Sequence, residues 1–518
     1  MTQKPGKRRA ATLGWAALAG AVSGGVFLAA AELVALLVAR DAGPVLAVGS
    51  FVIDIVPRPA KELAIELFGS NDKLFLLSSL GLAVFLAAGV AGLLEYWRRF
   101  AGVALFGLAG VAAVAATVTR AGAGPLAALP SLVGAVAGAL MLRLLVGRLR
   151  RWRDGDAGAA ATGVDRRRFL LITSAAAVGA AVAGVGARLG STATSSIAAI
   201  RSALRLPAPA SRVRVPAGAE LRVPGISPLF TPNADFYRVD TALTVPSVDP
   251  ATWRLTIDGM VEKRIQLSFQ ELLDLGLDEY AVTLTCVSNE VGGNLVGTAR
   301  WLGVPLRTVL ALARPRSGAD MVLSRSVDGF TASTPLGALT DAGRDAILAV
   351  GMNGEPLPLE HGFPVRMVVP GLYGYVSATK WLTELKVTTF AADQAYWTPR
   401  GYSAKAPIKL SSRIDTPRVD KPLTAGPTKI AGVAWAQTVG IRRVEVQIDG
   451  GDWREATLST PINSDMWVQW SLDWDATAGS HTLGVRATDR AGRLQEAKRA
   501  PIAPNGSTGW QQTFVRVS

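Results

Sequence analysis

Roughly the first 190 residues consist of long uncharged runs of Ala, Leu, Val and Gly, and this restricts the fold more than any other feature of the chain. In hydrocarbon every backbone N–H and C=O must find its partner within the segment, so such runs become helices. A crossing takes about 20 mostly apolar residues. Five stretches qualify, near Leu13–Ala39, Leu74–Leu94, Ala101–Val118, Leu126–Val146 and Phe169–Leu189. The shorter run Val45–Val56, followed by Pro57 and Pro59, reads as interfacial.

Lys and Arg number 54 against 40 Asp and Glu, a formal charge of +14. Much of that excess flanks the apolar runs, at Lys4–Arg9, Arg98-Arg99 and Arg148–Arg168, which is the pattern of cytoplasmic orientation signals and not of a nucleic-acid surface. Membrane lipid is therefore the expected partner and nucleic acid is not. An odd number of crossings puts everything after the fifth helix on the extracytoplasmic face of the cell membrane. The segment Asp165-Arg166-Arg167-Arg168-Phe169-Leu170-Leu171 resembles a twin-arginine export signal placed inside the chain. An ordinary positive-inside cluster is the alternative reading.

The remainder reads as soluble. Residues 191–225 are rich in Ala, Ser, Pro and Arg without periodicity, the composition of a tether. Residues 226–403 mix short strands (Trp253–Ile257, Ala281–Thr285, Val365–Val369, Leu382–Thr388) with helices (Ser268–Leu275, Leu306–Ala313), a mixed α/β domain. Residues 404–518 show strands alone (Lys429–Trp435, Val444–Ile448, Val468–Asp473, His481–Thr488), with Asp449-Gly450-Gly451 as a hairpin turn, which indicates a small β-sandwich. The fold class is α+β behind a transmembrane region of five helices.

One cysteine permits no internal disulfide, and two histidines offer little for zinc or haem. Cys286 ends an apolar strand and opens a polar, Gly-containing loop, Val287–Asn294. A lone cysteine in such a place is ordinarily a small buried hydrophobe. Its surroundings are more specific. Thr283-Leu284-Thr285-Cys286-Val287-Ser288-Asn289, followed by Arg300–Leu306, Gly351–Pro358, His361–Gly371 and Lys380-Trp381-Leu382, resembles in motif and order the sulfite oxidase family of molybdopterin-dependent oxidoreductases. The resemblance implies a thiolate from Cys286 to molybdenum, a metal for which a soft ligand is suited. It implies pterin or phosphate contacts from His361, Arg366, Thr379 and Lys380, Arg as a forked donor and Lys as a point charge. Thr231–Arg238 matches the family's first pterin loop more loosely and brings in Asn233, Phe236 and Tyr237, with Asp328 as a further contact. Tyr396-Trp397 and Tyr402 resemble the aromatic segment near the family's substrate pocket, where Tyr402 would donate to an oxyanion or oxo group; an aromatic packed between two domains is the alternative.

Two departures bear on the substrate. Glu290-Val291 stands where the family places basic residues after the Asn that follows the cysteine, and Val239-Asp240-Thr241 replaces a basic run in the pterin loop. Both argue against sulfite. The C-terminal segments Gly432–Trp435, Val444–Trp453 and Arg486–Gly492 resemble the family's immunoglobulin-like dimerisation domain, which would make a homodimer. The five apolar runs contain no histidine and the chain has no multi-cysteine motif, so neither haem nor an iron–sulfur cluster is expected. The reading is an oxygen-atom-transfer enzyme acting on a small molecule, exchanging electrons with a separate protein or the quinone pool. The alternatives are a non-catalytic tethered binding or assembly protein and, last, a transporter.

Overall fold

The computed structural model describes residues 5–38, 72–119, 126–154, 162–189 and 192–518 except 422, with residues 43, 47–49, 51–52 and 56 between the first two helices. Half of the Val45–Val56 run, and the prolines after it, lie outside the described residues. The chain divides into two compact units, residues 1–195 with Ala242–Thr244, and the rest.

The first unit is helical: α1 (Pro5–Val38), α2 (Asp72–Trp97), α3 (Ala101–Val118), α4 (Leu129–Asp154) and α5 (Thr162–Leu189). Among the described residues four helices are long and apolar enough to cross a membrane, within α1, α2, α3 and α4. The expected fifth span is a helix too, but is not one of these four, and it begins at Thr162, so Asp165–Arg168 is helical and not the end of a loop. Small residues let α1 and α2 touch backbone to backbone: a Cβ on Gly20 would fall on the Ala88 carbonyl, and one on Gly92 on that of Ala16. The buried Glu95 carboxylate accepts from the N–H groups of Phe100 and Gly102, both at 3.1 Å, and of Val103 at 3.3 Å, which satisfies the orphan donors that open α3.

The second unit opens at Ser196, within α6 (Thr192–Ala203), where a tether was expected. The segment that follows is bound along its length. Arg201 donates to the carbonyls of Leu357 and Pro356 at 2.7 Å, and the Ala210 and Glu279 N–H groups bond to Leu277 and Ser211. A segment without hydrophobic period is held here by its backbone, which composition does not reveal.

Next come β1 (Arg254–Gly259), β2 (Ile265–Ser268), α7 (Phe269–Leu273), β3 (Asp278–Thr285), β4 (Val296–Pro305), α8 (Leu306–Ala313), β5 (Met321–Ser326), β6 (Thr331–Pro335), β7 (Ile347–Met352), β8 (Glu355–Pro356), β9 (Arg366–Val368) and β10 (Leu382–Thr388). They form two sheets, β2-β1-β10-β5-β6 and β3-β4-β7-β8 with β9 on β7. Leu255, Ile257 and Leu385 of one, and Val304, Leu348 and Val350 of the other, share one core. The long antiparallel hairpin β3–β4 pairs Asp278 with Gly303 through to Thr285 with Val296, so its loop starts at Cys286.

The C-terminal part contains β11 (Ser411–Thr416), β12 (Gly426–Trp435), β13 (Ile441–Ile448), β14 (Arg454–Glu455), β15 (Thr457–Leu458), β16 (Val468–Ala476), β17 (Gly479–Asp489) and β18 (Gln511–Val517), in sheets β11-β12-β16-β15 and β14-β13-β17-β18. Ile430, Val468 and Trp470 meet Val444, Val446 and Val485 in a shared core. After β13 the chain turns through Asp449 and Gly450, both at positive φ, the geometry expected of a hairpin turn. Trp470 is fully buried there, so Trp470→Ala is expected to cost about 3–5 kcal/mol, read as a lower midpoint for denaturant unfolding of detergent-purified protein.

Candidate cofactor site

Cys286 is fixed by its loop. Its N–H bonds to the Leu295 carbonyl at 2.9 Å, its carbonyl accepts from Asn289 N–H at 3.0 Å, and the Asn289 side chain accepts from Leu295 N–H at 2.8 Å. The Ser288 N–H points at the thiol sulfur at 3.4 Å. Burial pushes the thiol pKa up, so the free side chain is protonated at neutral pH and would lose its proton on binding a metal. The β-rich part grips the same hairpin from behind. Ser507 Oγ donates to the Asn289 carbonyl at 2.7 Å, Arg413 to that of Gly293 at 2.8 Å, and Gln437 Nε2 to that of Thr283.

Around Cys286 runs a cleft lined by Phe236, Tyr237, Asp328, His361, Arg366, Lys380 and Tyr402, all expected site residues. The other two expected contacts do not line it. Asn233 instead receives a hydrogen bond from Asn353 Nδ2 at 2.9 Å and offers its carbonyl to His361 Nε2 at 3.2 Å. Thr379 Oγ1 pairs with Ser324 Oγ at 2.7 Å inside the core. Both act one step back from the cleft. Glu290, read as part of an altered anion pocket, is exposed and does not line the cleft either, whereas Val239, Asp240 and Thr241 do.

Arg366 opens β9 and is 5% exposed. Among the described residues its guanidinium donates to three carbonyls, those of His361 at 3.2 Å, Met367 at 3.3 Å and Ala378 at 3.5 Å. Among the described residues no carboxylate comes within ion-pair distance of it. Burial lowers its pKa to about 10, so it keeps its charge at neutral pH. A buried cation without an anion is costly unless a ligand supplies the charge. Gly362, at φ 108, makes the approach possible: a Cβ there would stand 3.0 Å from the Cβ atoms of both Arg366 and Lys380.

Lys380 is spoken for. Its ammonium donates to Asp240 at 2.7 Å and to the Glu360 carbonyl at 3.0 Å, and burial, opposed by Asp240, brings its pKa to about 8. Asp240 also accepts from Arg238 Nε at 2.9 Å. His361 must carry its proton on Nε2, because the Asn233 carbonyl can only accept, and burial plus the two nearby cations lowers its pKa to about 4. Phe236 stacks on Tyr237 at 5.3 Å and sets its edge against Trp301 and His361. Burial raises the Tyr237 pKa, so that its hydroxyl stays protonated. Tyr375, Trp397 and Tyr402 form an aromatic group on another wall, with rings 5.2–5.5 Å apart.

Residues 242–397 match the family described as oxidoreductase molybdopterin binding domain. The chain carries a domain of the sulfite oxidase family. Mitochondrial sulfite oxidase of Rattus norvegicus is 32% identical over 339 residues, 56% of this chain and 62% of that protein, and sulfite oxidase of Gallus gallus is 29% identical over 323 residues, 53% and 69%. The chain thus spans about three-fifths of the length of the first of these relatives. Inducible nitrate reductase [NADH] 2 of Glycine max is 29% identical over 318 residues, 49% of this chain and 36% of that one. Among solved structures, the sulfane dehydrogenase SoxCD from Paracoccus pantotrophus aligns at 25% identity and a TM-score of 0.49, covering 56% and 81% of the two chains.

The sulfite-oxidase-type domain has features beyond those its motifs suggested. Asn353, at positive φ in the turn before β8, donates to the Thr231 carbonyl and to Asn233, both at 2.9 Å, and accepts from Arg300 N–H at 2.9 Å. It ties the first loop to the sheet. The signal was the Asn353-Gly354 pair, a hairpin turn signature. Ser326 Oγ, buried and on the cleft wall, has no hydrogen-bond partner among the described residues, as fits a wall completed by a polar ligand. No sequence signal singled it out.

Because the folded pKa of His361 lies below its ordinary value, the folded protein binds fewer protons than the unfolded chain between pH 6.5 and about 4, and stability falls as pH drops through that window. His481, bonded to Asp449 at 2.6 Å, is shifted the other way. With two histidines in the chain, 13C-histidine NMR is expected to show one ring protonating above pH 6.5 and one staying neutral down to about pH 4.

Proposed function

We propose that this chain is a membrane-anchored, molybdopterin-dependent oxidoreductase that carries out two-electron oxygen-atom transfer on a small substrate outside the cytoplasm. One observation carries the reading: a buried thiol and a buried guanidinium that has no carboxylate partner among the described residues share a single cleft in a molybdopterin-family domain. Molybdenum held by a pterin dithiolene supplies, when bound, a two-electron redox change coupled to movement of an oxygen atom.

The residues present fit that cofactor. Cys286 offers a soft ligand on a loop held at both ends. Arg366 offers a forked cation to the anionic tail, and Ser326 Oγ and the uncharged His361 offer neutral polar contacts. Phe236 closes the floor without adding charge. Tyr402 is the donor we assign to the substrate oxygen, on a wall where Trp397 and Tyr375 exclude water. Anchoring rests on the apolar helices, with α5 as fifth crossing and Arg166–Arg168 as an internal twin-arginine signal. The extracytoplasmic orientation follows from the distribution of Lys and Arg. The two-sheet C-terminal part is taken as the immunoglobulin-like dimerisation domain, residues 404–518, and electrons pass to or from a separate protein or quinone.

Elemental analysis of detergent-purified protein from a molybdopterin-producing host is expected to give near-stoichiometric molybdenum in the wild type. Cys286→Ser should lose metal or change its spectrum, and Arg366→Gln should weaken cofactor retention by about 10–100-fold, the loss of one or two charge-assisted hydrogen bonds. Metal-free, well-folded wild type would sink the reading. In loaded enzyme Tyr402→Phe is expected to lower kcat by about tenfold or more with little change in KM, as loss of a donor used in the transition state does.

A further inference from the structure

Cys286, Val287, Ser288 and Asn289 form a four-residue turn closed by the Asn289 N–H on the Cys286 carbonyl at 3.0 Å. Three of the four are tied down. Cys286 is fixed through its own N–H, Val287 packs in the core that the two sheets share, and Asn289 bonds through its side chain to Leu295 and through its carbonyl to Ser507. Ser288 lines the cleft beside the cysteine, half-buried, and among the described residues its hydroxyl has no partner other than the Cys286 sulfur. Cys286 is only 8% exposed, so water does little to solvate a charge on that sulfur. Burial disfavours the thiolate, and the influences that oppose it are, in order, the Ser288 N–H, the Ser288 hydroxyl and the charge of Lys380. The N–H lies 3.4 Å from Sγ. One residue thus supplies both hydrogen-bond donors that the sulfur has among the described residues. A donor on a ligating sulfur draws electron density away from its bond to a metal, which favours the reduced, more electron-rich state.

We infer that Ser288 is a positioning residue for the cofactor's protein ligand: by donating its N–H and its hydroxyl to the Cys286 sulfur, it fixes the direction of the thiolate and raises the reduction potential of a metal bound there. The inference rests on the cofactor reading above and concerns the part of that site which Val287 and Asn289 hold rigid. The hydroxyl is the separable half of the arrangement. Ser288→Ala deletes it and leaves the backbone N–H, the turn and the anchors of both neighbours in place.

The test uses full-length detergent-purified protein from a molybdopterin-producing host, as wild type, Ser288→Ala and Ser507→Ala, with metal quantified in each. Because the chain has a single cysteine, growth on β-deuterated cysteine marks the one metal–sulfur bond that the protein contributes, and resonance Raman identifies its stretch. In wild type that stretch should shift on exchange into D2O, since donors on the sulfur carry exchangeable protons. In Ser288→Ala the shift should fall to about half or less, and the midpoint potential in a redox titration should drop by at least about 15 mV, a roughly threefold change in a two-electron equilibrium. Ser507→Ala, which loosens the same turn from behind without touching the sulfur, should keep the wild-type D2O shift. The inference is overturned, with the cofactor reading intact, by a smaller drop or a rise of potential in metal-loaded Ser288→Ala, or by loss of the shift in Ser507→Ala. Metal-loaded wild type without any D2O shift overturns it as well, a check that needs no variant to fold or load. Absence of metal from the wild type overturns the cofactor reading, and this inference with it.

Discussion

A guanidinium buried at the start of β9, with carbonyl oxygens as its protein partners, sets the terms for everything around it. Arg366 keeps its charge although burial lowers its pKa to about 10, and each neighbour is arranged to live with that charge. His361, whose carbonyl it uses, stays neutral. Tyr237 stays protonated, and Lys380 has its own carboxylate. Gly362 lets the two cationic side chains start from adjacent backbone without collision. A site organised this way is complementary to an anion, because desolvating a charge is tolerated only where an opposite charge can arrive.

The second constraint is mechanical. The loop that opens at Cys286 is polar and partly glycine, the kind of segment that moves unless it is bonded at many points. Here its own turns, the Asn289 side chain and two donors from the β-rich part, Ser507 and Arg413, hold it, and Gln437 holds the strand that leads into it at Thr283. Trp467 adds its N–H to Thr283 Oγ1 at 2.9 Å. The C-terminal sheets therefore do more than add mass: they form the rear wall of the hairpin that presents the thiol. This also accounts for the stretch 191–225, whose composition suggested a tether: after α6 it bonds to the outer edge of β3 and to the C-terminal sheets.

Much of this was legible beforehand. Periodicity and turn residues place Leu306–Ala313 and Leu382–Thr388 with the bounds observed, because in these stretches local preference and tertiary packing agree. The ordered motifs bring Cys286, His361, Arg366 and Lys380 to one cleft although up to 94 residues separate them in the chain (380 − 286). Asn233 and Thr379 were legible as neighbours of the site but not as lining it, since a motif marks a position and not the direction of a side chain.

Composition, period and count were enough to specify the apolar helical region, the mixed and all-strand halves of the remainder, and the identity of the single thiol. Tertiary structure alone decided which charges face each other. Asp240 and Lys380 lie 140 residues apart, and nothing in either segment says that their side chains end 2.7 Å apart, or that Glu290, four residues from the cysteine, turns to solvent. Ion pairing across a cleft depends on distance and desolvation, and both are fixed only when the two sheets have packed.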